Sequence, residues 1–376
     1  MRSLQRVSLL GWTALRAAAP GLALAVALAV FARGMAASLA DGVGGLPKFP
    51  LSPVMCAVLL GMLWRNTLGV PLWATRGLNW AMHRLLRIGI ALVGLRLTLS
   101  GATAIAATAL PVAVSCLLVA LGAGVALSRL LSVPRRLGLL LAIGTAVCGC
   151  TAVVAMSPVI RARHAETAFA VTCVVLFGCL AMLFYPWVAG HFFAASPVHA
   201  GIFLGTAIHD TSQVIGAALI YSQQAAAPAA LAAASVAKLL RNLSIAVLIP
   251  LAAWLTQRHE ARQVATPDVE GTAAFAAAPV PLVPLFVLAF IGFIAVRTAG
   301  DALFAAHGAL WPALVNRGYT ASDVFLSCGM TAVGLSVSFT DMWRIGWRPL
   351  AAGLIVATLV GGCSLLLTCA LLHFAA

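Results

Sequence analysis

From Pro349 to Phe374 the chain runs without a single Asp, Glu, Lys or Arg, and Leu137 to Pro158 and Thr167 to Val188 do the same. A helix needs about 20 predominantly apolar residues to cross a bilayer. Such runs restrict the fold severely: in lipid every backbone N–H and C=O must be satisfied internally, which leaves helices or a closed barrel. Only 7% of residues are aromatic, and long alternating segments are missing, so the barrel is disfavoured. An all-α, polytopic membrane protein is expected. Its charged fraction of 9% falls far below the roughly 25% of soluble domains.

Read in order, 376 residues accommodate about eleven crossings with short loops. These are Ala17 to Ala40, Leu51 to Trp64, Leu85 to Leu99, Pro111 to Leu127, Leu137 to Pro158, Thr167 to Val188, His199 to Ile220, Ala229 to Leu255, Val280 to Val296, Val324 to Phe339 and Pro349 to Phe374. Thr298 to Ser322 is amphipathic and is expected at the interface. A polar linker covers 256–279. The first apolar run, preceded by Arg2, Arg6 and Arg16 and followed by small residues, also fits a secretory signal; an uncleaved span is the favoured reading, with Arg33 snorkelling.

The net charge of +14 would elsewhere suggest nucleic acid. Here the cations cluster in short loops, where they fix topology. With the amino terminus in the cytoplasm, Arg65, Arg76, Arg84, Arg87, Arg129, Arg135, Arg136, Arg258, Arg262, Arg344 and Arg348 join the first three arginines inside. Lys48, Arg161, Arg163, Arg297 and Arg317 lie outside. The carboxyl terminus is then periplasmic and the linker cytoplasmic. The nine cysteines sit mostly in apolar runs and read as small buried hydrophobes, not a disulfide framework.

Transporters are often built from inverted halves meeting at a midplane site. Thr145-Ala146-Val147 recurs as Thr331-Ala332-Val333 before Gly334, which suggests a first repeat over 51–190 and a second over 199–376 within one integral membrane domain, 1–376. IGIALVGL from Ile88 matches CGMTAVGL from Cys328 equally well.

Chemistry concentrates in three places. Gly201 to Leu219 places His209 and Asp210 inside an apolar run; as a helix it aligns Thr206, His209, Asp210 and Gln213 on one face. A carboxylate at that depth points to a proton or sodium coupling site, with a structural pairing to Lys238 or Arg241 as the alternative. Ala142 to Pro158 carries Gly144, Gly149, Cys148, Cys150, Thr145 and Thr151, a composition that permits an interrupted helix exposing N–H and C=O groups or close packing of small residues. Cys-x-Cys without a nearby His or further Cys is not a zinc pattern, and no cofactor motif is present. Lys238, Arg241 and Asn242, at i, i+3 and i+4, share a helix face that would neutralise Asp210, hold an anion, or snorkel to the interface. Arg96 is open to the same alternatives.

AIGTAVCGCTAVVAMSPVI from Ala142 and GIFLGTAIHDTSQVIGAAL from Gly201, supported by RIGIALVGLRLTL from Arg87 and VAKLLRNLSIAVLIP from Val236, resemble the sulfate exporter family of YeiH-type inner-membrane proteins. The resemblance spans nearly the whole chain and departs at Cys150 and Thr151, where that family more often carries Ala or Ser. It implies an inner-membrane transporter of cation/proton antiporter and bile-acid symporter architecture, with inverted repeats and two interrupted helices crossing at the site. The implied crossing pair is the fifth span, around Cys148 and Gly149, and the tenth, around Val333 and Gly334. A secondary transporter exporting a small anion, not an enzyme, is therefore expected. Its substrate-binding residues would be Thr145, Cys148, Gly149, Thr151, Lys238, Arg241 and Gly334, and its coupling residues His209, Asp210 and Gln213. The expected partners are the anion, a proton or sodium and the bilayer, with a homo-oligomer compatible. The rivals are an importer or antiporter on the same fold, an intramembrane enzyme using Cys148 or His209, and a substrate-sensing receptor.

Overall fold

The computed structural model describes residues 2–41, 52–245, 247–248, 251, 285–304, 310–338, 340 and 347–375. The linker expected over 256–279 lies outside them. Among the described residues the chain is helical, without strands. Its helices are α1 (Arg2–Asp41), α2 (Pro53–Thr67), α3 (Leu72–Trp80), α4 (Leu86–Val93), α5 (Leu99–Leu130), α6 (Arg135–Ala146), α7 (Cys150–Val159), α8 (His164–Phe192), α9 (Pro197–Ala207), α10 (Thr211–Gln224), α11 (Ala229–Leu243), α12 (Leu285–Phe304), α13 (Leu310–Ser336) and α14 (Trp347–Ala375).

Five of these are long and apolar enough to cross a membrane: Ala18–Leu39, Leu99–Leu130, Ala165–Phe192, Leu285–Phe304 and Trp347–Phe374. Within the described residues the remaining expected crossings are short, interrupted or more polar, and the ends of those expected at Ala229 to Leu255 and Val324 to Phe339 lie outside them. The third is divided among α4, a π-helical turn at Ala81–Leu85 and a 3₁₀ turn at Gly94–Arg96. The amphipathic stretch from Thr298 is not one interface helix: its start closes α12, and Leu310 to Ser322 opens the unbroken α13. Several helices end on a residue in the left-handed region. Ser132, Arg161 and Ala226 have φ of 52°, 51° and 50°, and the next residue's N–H returns to Ser128, Ser157 and Ser222 respectively, which satisfies carbonyls a helix end leaves open.

The chain forms two compact units. One comprises Met1–Gly101, Ile215–Ala232 and Ala289–Thr340; the other comprises Ala102–Val214, Ala233–Leu288 and Asp341–Ala376. In the first, α13 packs on α2 and α4, and α1 on α2 and α3. Gly61 and Gly334 let α2 and α13 touch backbone to backbone: a Cβ at Gly334 would lie 3.0 Å from Val58 Cα. The helix passes through Val333 and Gly334 without a break, so the interruption expected in the tenth span is absent. Glycine there serves close approach instead.

In the second unit α6 packs on α8 and α7, and α14 on α9 and α8. Its core gathers Val112, Leu140, Leu141, Val153, Met156, Val174, Val356 and Val360. Two helix interruptions fall in this unit. One separates α6 from α7 at Val147–Gly149. The other separates α9 from α10 at Ile208–Asp210, within the run read above as one helix.

Candidate functional site

The first break follows from backbone chemistry. Gly149 adopts φ 69° and ψ −128°, a region open essentially only to glycine. Its N–H returns to Gly144 O at 3.0 Å, and its own carbonyl accepts Val153 N at 3.2 Å to start α7. The second break has no glycine or proline. Ile208 turns extended at φ −88°, ψ 144°, and Asp210 then starts α10: its Oδ1 accepts Ser212 N at 2.9 Å and Ser212 Oγ at 2.5 Å, the geometry of an N-cap. The breaks touch, since a Cβ on Gly149 would lie 2.7 Å from Asp210 Oδ2 and 3.0 Å from its Cα.

Breaking two helices in an apolar core strands carbonyls, each costing about 1–3 kcal/mol if left unpaired. Two side chains of α11 supply the missing donors. Arg241, 1% exposed, donates Nε to Ala146 O at 3.0 Å, Nη2 to Thr145 O at 2.5 Å and Ala146 O at 2.7 Å, and Nη1 to Thr206 O and to Ile208 O at 3.4 Å. Lys238, fully buried, donates Nζ to Val147 O at 2.8 Å, Ile208 O at 3.1 Å and His209 O. Three acceptors on one nitrogen require the ammonium form, which alone has three donors. Neither side chain snorkels. The donors expected to face an anion are all directed at backbone carbonyls of the two breaks.

Helix ends carry about half a unit charge each. The carboxyl ends of α6 and α9 therefore contribute about −1, the amino ends of α7 and α10 about +1, Lys238 and Arg241 +2, and an ionised Asp210 −1. The crossing is left with about +1 before any ligand arrives.

Three buried polar side chains beside it are unbonded or use only part of their hydrogen-bonding capacity. His209 is 1% exposed, and neither ring nitrogen is bonded. Gln213 gives Nε2 to Val175 O at 3.0 Å and Cys179 Sγ at 3.4 Å, while its Oε1 is unpaired. Asn242 gives Nδ2 to Thr211 Oγ1 at 3.2 Å, and its Oδ1 is unpaired. Asp210, Thr211 and Ser212 are half-buried, and Thr151 is exposed.

The structure thus brings Thr145, Cys148, Gly149, Lys238, Arg241, His209, Asp210 and Gln213 together around the breaks. Thr151 lies one residue into α7 with its side chain outward, and Gly334 belongs to the other unit. The stripe of Thr206, His209, Asp210 and Gln213 is not a helix face, because the helix stops between them. Sequence reasoning missed the backbone carbonyls as the partners of Lys238 and Arg241. It also missed Ser364, whose hydroxyl meets Thr206 Oγ1 at 2.7 Å. Arg96, open in the sequence, is ion-paired to Asp323 at 2.7 Å and lies over the Tyr319 ring, in the first unit. Among the described residues no three His, Cys, Asp or Glu side chains gather as a metal site, and the nine cysteines are free thiols.

The profile of the family described as "Conserved hypothetical protein 698" matches residues 20–353. A UPF0324 membrane protein of Bacteroides thetaiotaomicron is 31% identical over 317 residues, 83% of this chain and 88% of the relative. One from Ralstonia nicotianae is 33% identical over 323 residues, covering 83% of this chain and 84% of the relative. One from Bordetella bronchiseptica is 33% identical over 318 residues, covering 82% and 90%. No solved structure matches. With a profile spanning most of its length, relatives aligned nearly end to end and several apolar helices of membrane-crossing length, the chain belongs to the UPF0324 family of multi-pass membrane proteins.

Proposed function

We propose that the protein is a secondary active transporter that exports a small anion, sulfate-like or organosulfur, across the inner membrane by alternating access, coupled to protons or sodium. The observation that carries this reading is the contact of two broken helices at Gly149 and Asp210, with their carbonyl ends neutralised by Lys238 and Arg241. Irregular backbone at membrane depth is tolerated where it is buried in protein or lines a cavity. A carboxylate held there points to an ion pathway. The surplus of positive charge at the crossing and the unpaired ring of His209 favour an anionic ligand with acceptor or donor oxygens.

In this reading α6 with α7, and α9 with α10, each make one crossing in two halves, which brings the total toward eleven. The amino terminus is cytoplasmic, the carboxyl terminus periplasmic, and the halves 51–190 and 199–376 are inverted repeats; a homo-oligomer is compatible with it. Asp210, with His209 and Gln213, handles the coupling ion. Lys238 and Arg241 act on the anion by their field, since their N–H groups are engaged elsewhere.

The test is efflux from proteoliposomes loaded with radiolabelled sulfate, sulfite or thiosulfate, with and without a pH gradient. Efflux that depends on the protein and loses its coupling in Asp210→Asn supports the reading. Coupled flux unchanged in Asp210→Asn removes the assigned role. Import or antiport on the same fold would appear as protein-dependent flux against the expected direction. An intramembrane enzyme using Cys148 or His209 would instead convert the substrate and lose that conversion in Cys148→Ser or His209→Gln.

A further inference from the structure

Resting on that reading, we propose that the coupling ion is a proton carried by Asp210 and not sodium, because Lys238 and Arg241 already occupy, as tethered cations, the place sodium would take.

Where broken helices bind sodium, they do so through the carbonyl oxygens of unwound backbone and of half-helix carboxyl ends. Hard cations need several such oxygens at once. Here most of these oxygens already have donors. At the end of α6, Ile143 O accepts Val147 N and Gly144 O accepts Gly149 N. Thr145 O and Ala146 O accept from Arg241, and Val147 O from Lys238. At the second break Leu204 O accepts Ile208 N, Thr206 O accepts from Arg241, Ile208 O from both cations and His209 O from Lys238. Six carbonyls at the breaks, those of Thr145, Ala146, Val147, Thr206, Ile208 and His209, are thus bonded to an ammonium and a guanidinium whose positions are fixed by α11.

What the crossing still offers is one carboxylate. Asp210 Oδ1 is held by Ser212, while its Oδ2 lies against Gly149. The titratable and charged groups around it are Cys148 and Cys150 from the first break, Cys179 from α8, Lys238 from α11 and the adjacent His209. No second carboxylate stands among these neighbours to complete a sodium shell, whereas a proton needs only one oxygen. Protonation also removes a negative charge from beside two helix amino ends, so proton and anion are carried together and the sum of their gradients sets the direction of flux.

The experiment uses the full-length protein in two assays. Melting in detergent is followed as sodium chloride replaces choline chloride at constant ionic strength and pH, alongside binding of radioactive sodium. Proteoliposomes loaded with labelled sulfate, sulfite and thiosulfate are then given either a pH gradient or a sodium gradient. The expected results are no sodium-specific rise in melting temperature, no retained sodium, and no response to the sodium gradient. A pH gradient of about one unit should shift the final anion ratio about tenfold for one proton per anion, and Asp210→Asn should abolish that shift. Sodium binding, sodium-driven flux, or flux indifferent to the pH gradient overturns the inference and leaves anion transport standing. Absence of flux for all three anions under either gradient overturns the transport reading, and the inference with it.

Discussion

Thr145-Ala146-Val147 and Thr331-Ala332-Val333 are the same three residues, each followed closely by glycine, yet one segment breaks a helix and the other does not. At Gly334 the α13 helix continues, and the missing side chain is used to bring Val58 of α2 into backbone contact. At Gly149 the chain turns to a positive φ and restarts as α7. The difference lies in what stands nearby. An interruption strands carbonyls, and in the second unit Arg241 supplies five N–H contacts and Lys238 three to meet them. Glycine permits a break; partners for the freed backbone decide whether it is stable.

That contrast can be broken at five points. The largest effect is expected for Arg241→Met, which strips the donors from Thr145, Ala146 and Thr206 and should cost about 3–5 kcal/mol, as removal of one side of a buried charged network does. Melting in detergent should fall by about 10 °C or more. If this variant melts like the parent, the donors do not sustain the break. Next, Gly149→Ala forces a side chain into a disfavoured conformation against Asp210, at about 2–3 kcal/mol, and should also stop anion flux. Gly334→Ala pushes on Val58 and should cost about 1–3 kcal/mol by overpacking. A rotamer-independent loss at Gly149, seen equally with Ser, against a loss at Gly334 that grows from Ala to Val, would separate conformation from space. Asp210→Asn retains a capping oxygen, so melting should move by less than about 1 kcal/mol while the response to a pH gradient disappears. The smallest effect belongs to Thr151→Ala, exposed on α7, which should stay within about 0.5 kcal/mol and leave melting unchanged.

Much of the architecture was legible before any coordinates. Uncharged runs such as Pro349 to Phe374 required membrane helices, while glycine with small neighbours left Ala142 to Pro158 open to interruption or close packing, and only the family resemblance pointed to Cys148 and Gly149. The second break was not read, because Thr206 to His209 holds neither glycine nor proline. Its signal was Asp210-Thr211-Ser212, a capping sequence that marks a helix start and was taken instead as part of a polar stripe. The spacing of Lys238 and Arg241 correctly put them together. Their partners stayed hidden because they are backbone atoms 29 to 96 residues away, and carbonyls leave no trace in the letters of a sequence. Gly334 misled for the opposite reason: local repetition of three residues carries no information about what packs against them.

The order in which the chain is made gives α11 a further consequence. α6 and α9 both leave the ribosome before residue 238, so each is made with an end whose carbonyls await the donors of Lys238 and Arg241. Their halves can settle only when the later helix arrives carrying both positive side chains. A nascent chain halted between Gln224 and Ala237 would hold every residue of both interruptions and still lack the two side chains that bond their carbonyls.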